Sequence, residues 1–303
     1  MALVYQHITE NKVKTVILLT VFFLLIIAIG FVFSQAYSSP EILYAAVGFS
    51  IIYSLVSYYF SANITLALSQ ARPVERSTNS ELYNLVENLA ITAGLPTPKI
   101  YIIEDTAMNA FATGRNPENA VVVFTTGILQ RLNKTELEGV VAHELSHIGN
   151  YDIRLMTLVV VLVGVLTLLA DFLLRMSFFG GRSRSRNSNG NQLQAIFMVV
   201  GIVLAILSPI IATLIQLAIS RKREYLADAS GTLLTRYPEG LASALEKISA
   251  DTEPLEAANK ATAHLYIANP LKNSHAGVGW FSRMFNTHPP AQERIKRLRE
   301  MHS

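Results

Sequence analysis

Cysteine is absent from the 303-residue chain, which excludes disulfides and thiolate metal ligands together. Any metal here has to be held by His, Asp or Glu. Charge is also scarce: Asp, Glu, Lys and Arg make up 16% of the residues against 51% hydrophobic, beyond the balance of ordinary soluble domains. The surplus apolar surface calls for a lipid solvent. The net charge of +3 does not point to nucleic acid, because the basic residues sit mostly beside apolar segments, where membrane topology accounts for them.

The apolar residues are concentrated. Val16 to Phe33 and Ile42 to Phe60 are charge-free runs, each long enough at about 1.5 Å per residue to cross a hydrocarbon core of roughly 30 Å. The first run exceeds a signal-peptide core, and no small-x-small cleavage pattern follows it before the second, so it is expected to stay as an anchor. Residues 1–61 thus form a transmembrane hairpin: Lys12 and Lys14 precede it, Arg72 and Arg76 follow it, and the SQAYSSPE turn has no basic residue. The positive-inside tendency places both ends in the cytoplasm.

Residues 62–154 have a soluble α+β pattern. SELYNLVENLAITAGL has helical periodicity, PKIYIIED starts a strand after proline, and AVVVFTTG is a β-branched run that stops at glycine. Residues 155–219 hold a second apolar pair, Leu155–Leu174 and Ala195–Ile219, around an Arg/Ser/Gly loop at 175–194. Arg175, Arg182, Arg184 and Arg186 in that loop oppose Arg154 and Arg221-Lys222-Arg223 at the outer ends, so the pair either spans or lies against the soluble part. Residues 220–303 are polar and mainly helical, ending in the basic run AQERIKRLREMHS, whose charges suit a solvated helix face.

The chemistry is concentrated in VAHELSHIGN at 141–150. Thr135 and Glu138 form a T-x-x-E capping box that starts a helix, so His143 and His147, four apart, share a face and direct both imidazoles to one ion. Glu144 projects about 100° around and reaches a water on that ion. A catalytic zinc takes three protein ligands and keeps one position open. The extension H-E-x-x-H-x-x-G-x-x-H fails, since its Gly and His positions hold Asn150 and Ile153. The third ligand is expected in REYLAD: Glu224 ligates, and Asp228, one turn on, accepts the other ring N–H of a ligand histidine. Both ends of the second apolar pair then lie on one side of the membrane. Lys134, Glu136 and Glu138 on the histidine helix argue against a site at bilayer depth. A closed structural zinc site and a transporter are disfavoured, the first by the open three-ligand set and the second by charges clustered in the soluble parts.

The double N-terminal span, HELSH, the second apolar pair and EYLAD together resemble the HtpX family of bacterial membrane-bound zinc endopeptidases. NAFATG at 109–114, VVVFTTGIL at 121–129 and THPPAQERI at 287–295 are similar to that family's corresponding segments. The resemblance covers nearly the whole chain. It implies a multi-pass α-helical membrane protein with a mainly α (α+β), gluzincin-like zinc metallopeptidase domain. One Zn2+ per chain would be bound by His143, His147 and Glu224, with Glu144 as catalytic base. It further implies a stress-response protease of the bacterial cytoplasmic (inner) membrane, facing the cytoplasm and degrading misfolded or damaged membrane proteins.

Other residues are placed more weakly. His288 is the candidate donor to the developing oxyanion, with Arg294 as a helper; the competing role for His288 is to end a turn and cap the last helix. NAFATG is the candidate sheet edge for an extended substrate, with Asn109 and Ala110 nearest the cleft, or else an ordinary strand and turn. Asn150 and Asp152 suit helix capping or holding the next segment better than metal binding. His264 and His275 carry no motif and are expected on the surface or in local hydrogen bonds. Partners are lipid and unfolded protein, without nucleic acid; the sequence leaves the oligomeric state open.

Overall fold

A computed structural model of the chain describes residues 2–37, 39–162, 164–165, 199, 221–258, 262–270 and 289–301. Two long helices come first, α1 (Ala2–Tyr37) and α2 (Pro40–Leu68), packed against each other as an antiparallel pair, with proline at the start of α2 where its missing N–H costs nothing. Both are long and apolar enough to cross a membrane. Their outward side chains, among them Val16, Ile17, Leu24, Ile52, Leu55 and Phe60, stay exposed, while Phe22 and Ile26 are buried against the rest of the chain. An apolar exterior of this kind suits contact with lipid.

The sheet has four strands, β1 (Arg72–Pro73), β2 (Lys99–Ile103), β3 (Ala110–Gly114) and β4 (Ala120–Thr125), in the order β1-β2-β4-β3. β2 and β4 are parallel and the other pairs antiparallel, so β3 is an edge strand. Every residue of β3 and β4 is buried, and period-two alternation sorts them onto two covered faces. Ala110, Ala112, Val122 and Phe124 join the core formed with Val140, Leu145 and Leu241. Phe111, Val121 and Val123 pack instead on Leu155, Met156, Val159 and Tyr266.

The remaining helices are α3 (Ser80–Thr92), α4 (Thr126–Arg131), α5 (Lys134–Gly149), α6 (Arg221–Thr235), α7 (Pro238–Ala250) and α8 (Ala291–Glu300). The capping box of α5 is two residues upstream of the expected Thr135 and Glu138. Asn133 accepts from the Glu136 amide at 3.0 Å, and the Glu136 carboxylate accepts from the Asn133 amide at 2.9 Å. Asparagine caps better than threonine, and Lys247 and Ser243 anchor Glu136 from α7 at 2.7 Å each.

Residues 152–162 are helical. In this first part of the third apolar run Leu155, Met156 and Leu158 to Leu162 are all buried, against the sheet on one side and the hairpin on the other. The side chain of Thr157 meets that of Thr113 at 2.9 Å, and the Tyr53 hydroxyl donates to the Val161 carbonyl at 3.2 Å. The 175–194 loop and nearly all the rest of the second apolar pair lie outside the described residues.

Candidate metal centre

The site is built from two helices held unusually close. On α6, Glu224, Asp228 and Gly231 fall at i, i+4 and i+7 on one face. A side-chain carbon at Gly231 would sit 3.0 Å from the His143 backbone nitrogen; its absence lets α6 press against α5. His143, His147 and Glu224 then bring one ligand atom each within 4.8 Å of one another, all three buried. The imidazole Nε2 atoms face each other at 3.2 Å. Glu224 lies 3.8 Å from Nε2 of His143 and 3.6 Å from Nε2 of His147.

Each ring turns its other nitrogen to a carboxylate. Nδ1 of His143 is 3.0 Å from Asp228, and Nδ1 of His147 is 3.0 Å from Asp152. That pairing fixes the tautomer in which Nε2 carries the lone pair a metal requires. Two borderline imidazoles and one hard carboxylate, with no thiolate, are a donor set that could hold a divalent metal ion and that suits zinc.

The two supporting carboxylates are themselves held. Arg294 clamps Asp228 through two N–H donors at 2.9 and 2.7 Å and donates to the Ile267 carbonyl at 3.3 Å. Burial would raise the Asp228 carboxyl, but the Arg294 charge and the His143 hydrogen bond keep it below the usual range. On the other side, Asn11 of α1 donates to Asp152 at 2.7 Å and Arg223 approaches the same oxygen at 3.4 Å.

Glu144 is 2% exposed and shares the pocket. Burial lifts it to about 7; the His147 charge opposes the rise, Glu224 adds to it, and the Ala112 amide hydrogen bond opposes it. A carboxylate poised near neutrality is suited to taking and returning a proton. Burial likewise drives His143 down, to about 4, with Asp228 opposing and Arg294 assisting. For His147 burial pulls downward, but the Asp152 hydrogen bond and the charges of Glu224, Asp152 and Glu144 carry it up to about 9.

The structure therefore gathers His143, His147, Glu224, Glu144, Asp228 and Arg294 in one place. Arg294 is not on a solvated face, although Lys296, Arg297 and Arg299 of the same basic run are exposed. Its donors go to Asp228 and the Ile267 carbonyl, and it also lies 3.4 Å from the His143 ring and 3.7 Å from Glu224. Asn109 and Ala110 belong to the edge strand and its approach, but both are 1% exposed and already engaged. The Asn109 side chain donates to Ala268 at 3.0 Å, and the Ala110 carbonyl accepts from the Ile267 amide at 2.9 Å. The edge residue that faces Glu144 is Ala112. His264 is buried and not on the surface, its Nε2 lying 3.3 Å from the Met156 carbonyl. His288 and His275 lie outside the described residues.

Asp152 and Asn11 are the residues around the site whose contacts sequence spacing missed. Asn150 does cap α5, but Asp152 returns to His147 because Tyr151 takes a left-handed backbone turn, φ +60°. For a bulky L-residue that conformation costs about 1–2 kcal/mol, and no periodicity rule places residue i+5 back against i.

The model of peptidase family M48 matches residues 76–302. A protein described as "Protease HtpX homolog" from Dictyoglomus turgidum (strain DSM 6724 / Z-1310) is 45% identical over 303 residues, spanning 98% of this chain and 94% of the relative. Its namesake in Tropheryma whipplei (strain Twist) is 44% identical over 299 residues and spans 99% of both chains. Among solved structures, "Crystal Structure of S. mikatae Ste24p" aligns with a TM-score of 0.50 at 18% identity, covering 97% of this chain and 67% of that one, a likeness of fold.

Proposed function

The chain belongs to peptidase family M48 and is a metallopeptidase, and on that premise we propose a membrane-bound zinc endopeptidase, with one zinc ion per chain, that cuts misfolded or damaged membrane proteins. The observation that carries the reading is the convergence of His143, His147 and Glu224 within 4.8 Å beside the buried carboxyl of Glu144.

When bound, zinc supplies a Lewis acid that polarises the scissile carbonyl and lowers the pKa of a water to about 7. Glu144 takes the proton of the attacking water and delivers it to the departing amine, so the peptide bond breaks without an acyl-enzyme. Burial and the neighbouring Glu224, which lift Glu144 to about 7, make that return of the proton feasible. Asp228 and Asp152 keep the two rings aimed. Arg294 acts on His143 through Asp228, while His288 stands as the proposed oxyanion donor. The substrate strand adds to the β3 edge at Ala112, next to Asn109 and Ala110, whose edge groups hold residues 267–268. Main-chain pairing of this kind is indifferent to side chains and suits unfolded segments.

The start of α1 and the end of α2 both pack on the catalytic part. With Lys12, Lys14, Arg72 and Arg76 at those ends, this supports an inner-membrane hairpin and a domain facing the cytoplasm. The test is zinc content and cleavage of unfolded casein by detergent-purified protein, for the natural chain and Glu144→Gln. The expected result is about one zinc in each, as a three-ligand site requires, with cleavage by the natural chain alone. Equal cleavage by the variant would remove Glu144 from the reaction. A zinc-loaded natural chain that leaves casein intact would favour a structural metal site.

A further inference from the structure

Asn11 is a polar residue buried to 2% exposure on a helix that otherwise serves as an anchor. A buried amide is costly unless its hydrogen bonds are made, and these are made in one direction only, toward the metal centre. Its Nδ2 donates to Asp152 Oδ1 at 2.7 Å and to the Asn150 carbonyl at 3.1 Å, and its Oδ1 accepts from Arg223 at 3.0 Å. The second oxygen of the same Asp152 carboxylate holds His147 Nδ1 at 3.0 Å.

We propose that the first membrane helix is part of the metal centre, with Asn11 as a positioning residue that orients Asp152 and through it the ligand His147. A carboxylate rotates about one bond, so fixing Oδ1 aims Oδ2. Arg223 alone does not fix it, since its reach to Oδ1 is 3.4 Å and Asn11 Oδ1 is the nearer acceptor. Asn11 also ties α1 to the Asn150 carbonyl just before the Tyr151 reversal that presents Asp152. Metal affinity in this enzyme therefore depends on how α1 is seated, and a shift of that helix loosens one ligand of the three. The inference rests on the zinc reading above.

The experiment uses the full chain in lipid nanodiscs. Zinc affinity is measured by competition with a chromophoric chelator, and cobalt is substituted to record the visible spectrum of the site, for the natural chain, Asn11→Ala and Thr15→Val. Thr15 is buried one turn along the same face and donates to the Asn11 carbonyl at 2.8 Å, so its variant disturbs the same seam without touching Asp152. Loss of an outer partner of a metal ligand typically weakens binding about 10- to 100-fold. Asn11→Ala is expected in that range, with a changed cobalt spectrum, while Thr15→Val stays within about twofold and the metal-free proteins unfold at similar temperatures. Natural affinity and spectrum in Asn11→Ala overturn the inference, as does an equal loss in both variants, which would mark a packing effect. A natural chain that binds no zinc overturns the metal reading itself and this inference with it.

Discussion

His143 and His147 sit on the same face of α5 and reach a carboxylate with the same ring nitrogen at the same 3.0 Å, yet their supports come from different parts of the molecule. His143 leans on Asp228 of α6, which is clamped by Arg294 of α8. His147 leans on Asp152, which is held by a neutral amide from the membrane anchor. Burial pulls both rings down: His143 falls to about 4, with Arg294 assisting and Asp228 opposing, whereas for His147 the Asp152 hydrogen bond and three carboxylate charges outweigh burial and carry it to about 9. One half of the site is supported from α6 and α8 alone, and the other draws on α1 as well as on Arg223 of α6.

The strongest way to break this contrast is Arg294→Met. Removing the cation leaves Asp228 buried without its clamp, a change that costs about 3–5 kcal/mol. Denaturant unfolding of the detergent-solubilised protein should register that loss, and a cost under about 1 kcal/mol would mean the clamp is not electrostatic. A matched pair sharpens the contrast further. Asp228→Asn and Asp152→Asn are each expected to weaken zinc binding about 10- to 100-fold, but the first should lower metal-free stability more, because Arg294 loses a carboxylate it holds at 2.7 and 2.9 Å, whereas Arg223 reaches Asp152 at only 3.4 Å and keeps Asn11. Equal stability losses would show the two halves to be built alike.

The smallest effect addresses the helix that carries both histidines and should not distinguish them. Burial would raise the Glu136 carboxyl, but Lys247, the Asn133 amide and Ser243 outweigh it and hold the group below its ordinary value. The stability it contributes is therefore present above the unfolded carboxyl value of about 4.3 and is lost as pH falls through the lower folded value. Glu136→Gln is expected to cost about 1 kcal/mol at pH 7. Melting curves of the two proteins should converge toward pH 3, and a constant gap would rule out an ionic contribution.

Much of this architecture was legible in the chain. The two N-terminal runs, the strands at 99–103 and 120–125, and α3 and α5 follow from local periodicity and from punctuation by proline, asparagine and glycine. The α5 cap was misread by two residues because N-K-T-E and T-E-L-E both offer a cap with a glutamate three on; the tie is broken by Lys247 and Ser243, more than 100 residues away in sequence. The basic run around Arg294 looked like a solvated face, and although Arg294 was singled out as an oxyanion helper, its clamp on Asp228 was not legible, because a single inward position in a basic helix leaves the composition unchanged. The third apolar run resembled the first two in sequence, yet its described start lies inside the protein, since hydropathy does not distinguish lipid from a protein core.

The sequence by itself determined the candidate donors and the apolar hairpin: two histidines and a glutamate with no thiol available, a carboxyl one position past the first histidine, and two helices long and apolar enough to cross a membrane. Those features depend on the spacing within one element and on bulk transfer energy, which a linear chain records directly. Only the tertiary structure decided which carboxylate aims which ring. The bond from Asn11 to Asp152 joins residues 141 positions apart, and the path from Asp152 back to His147 runs through a left-handed turn at a tyrosine. Directional contacts over such separations depend on where whole elements dock, and no local period encodes that.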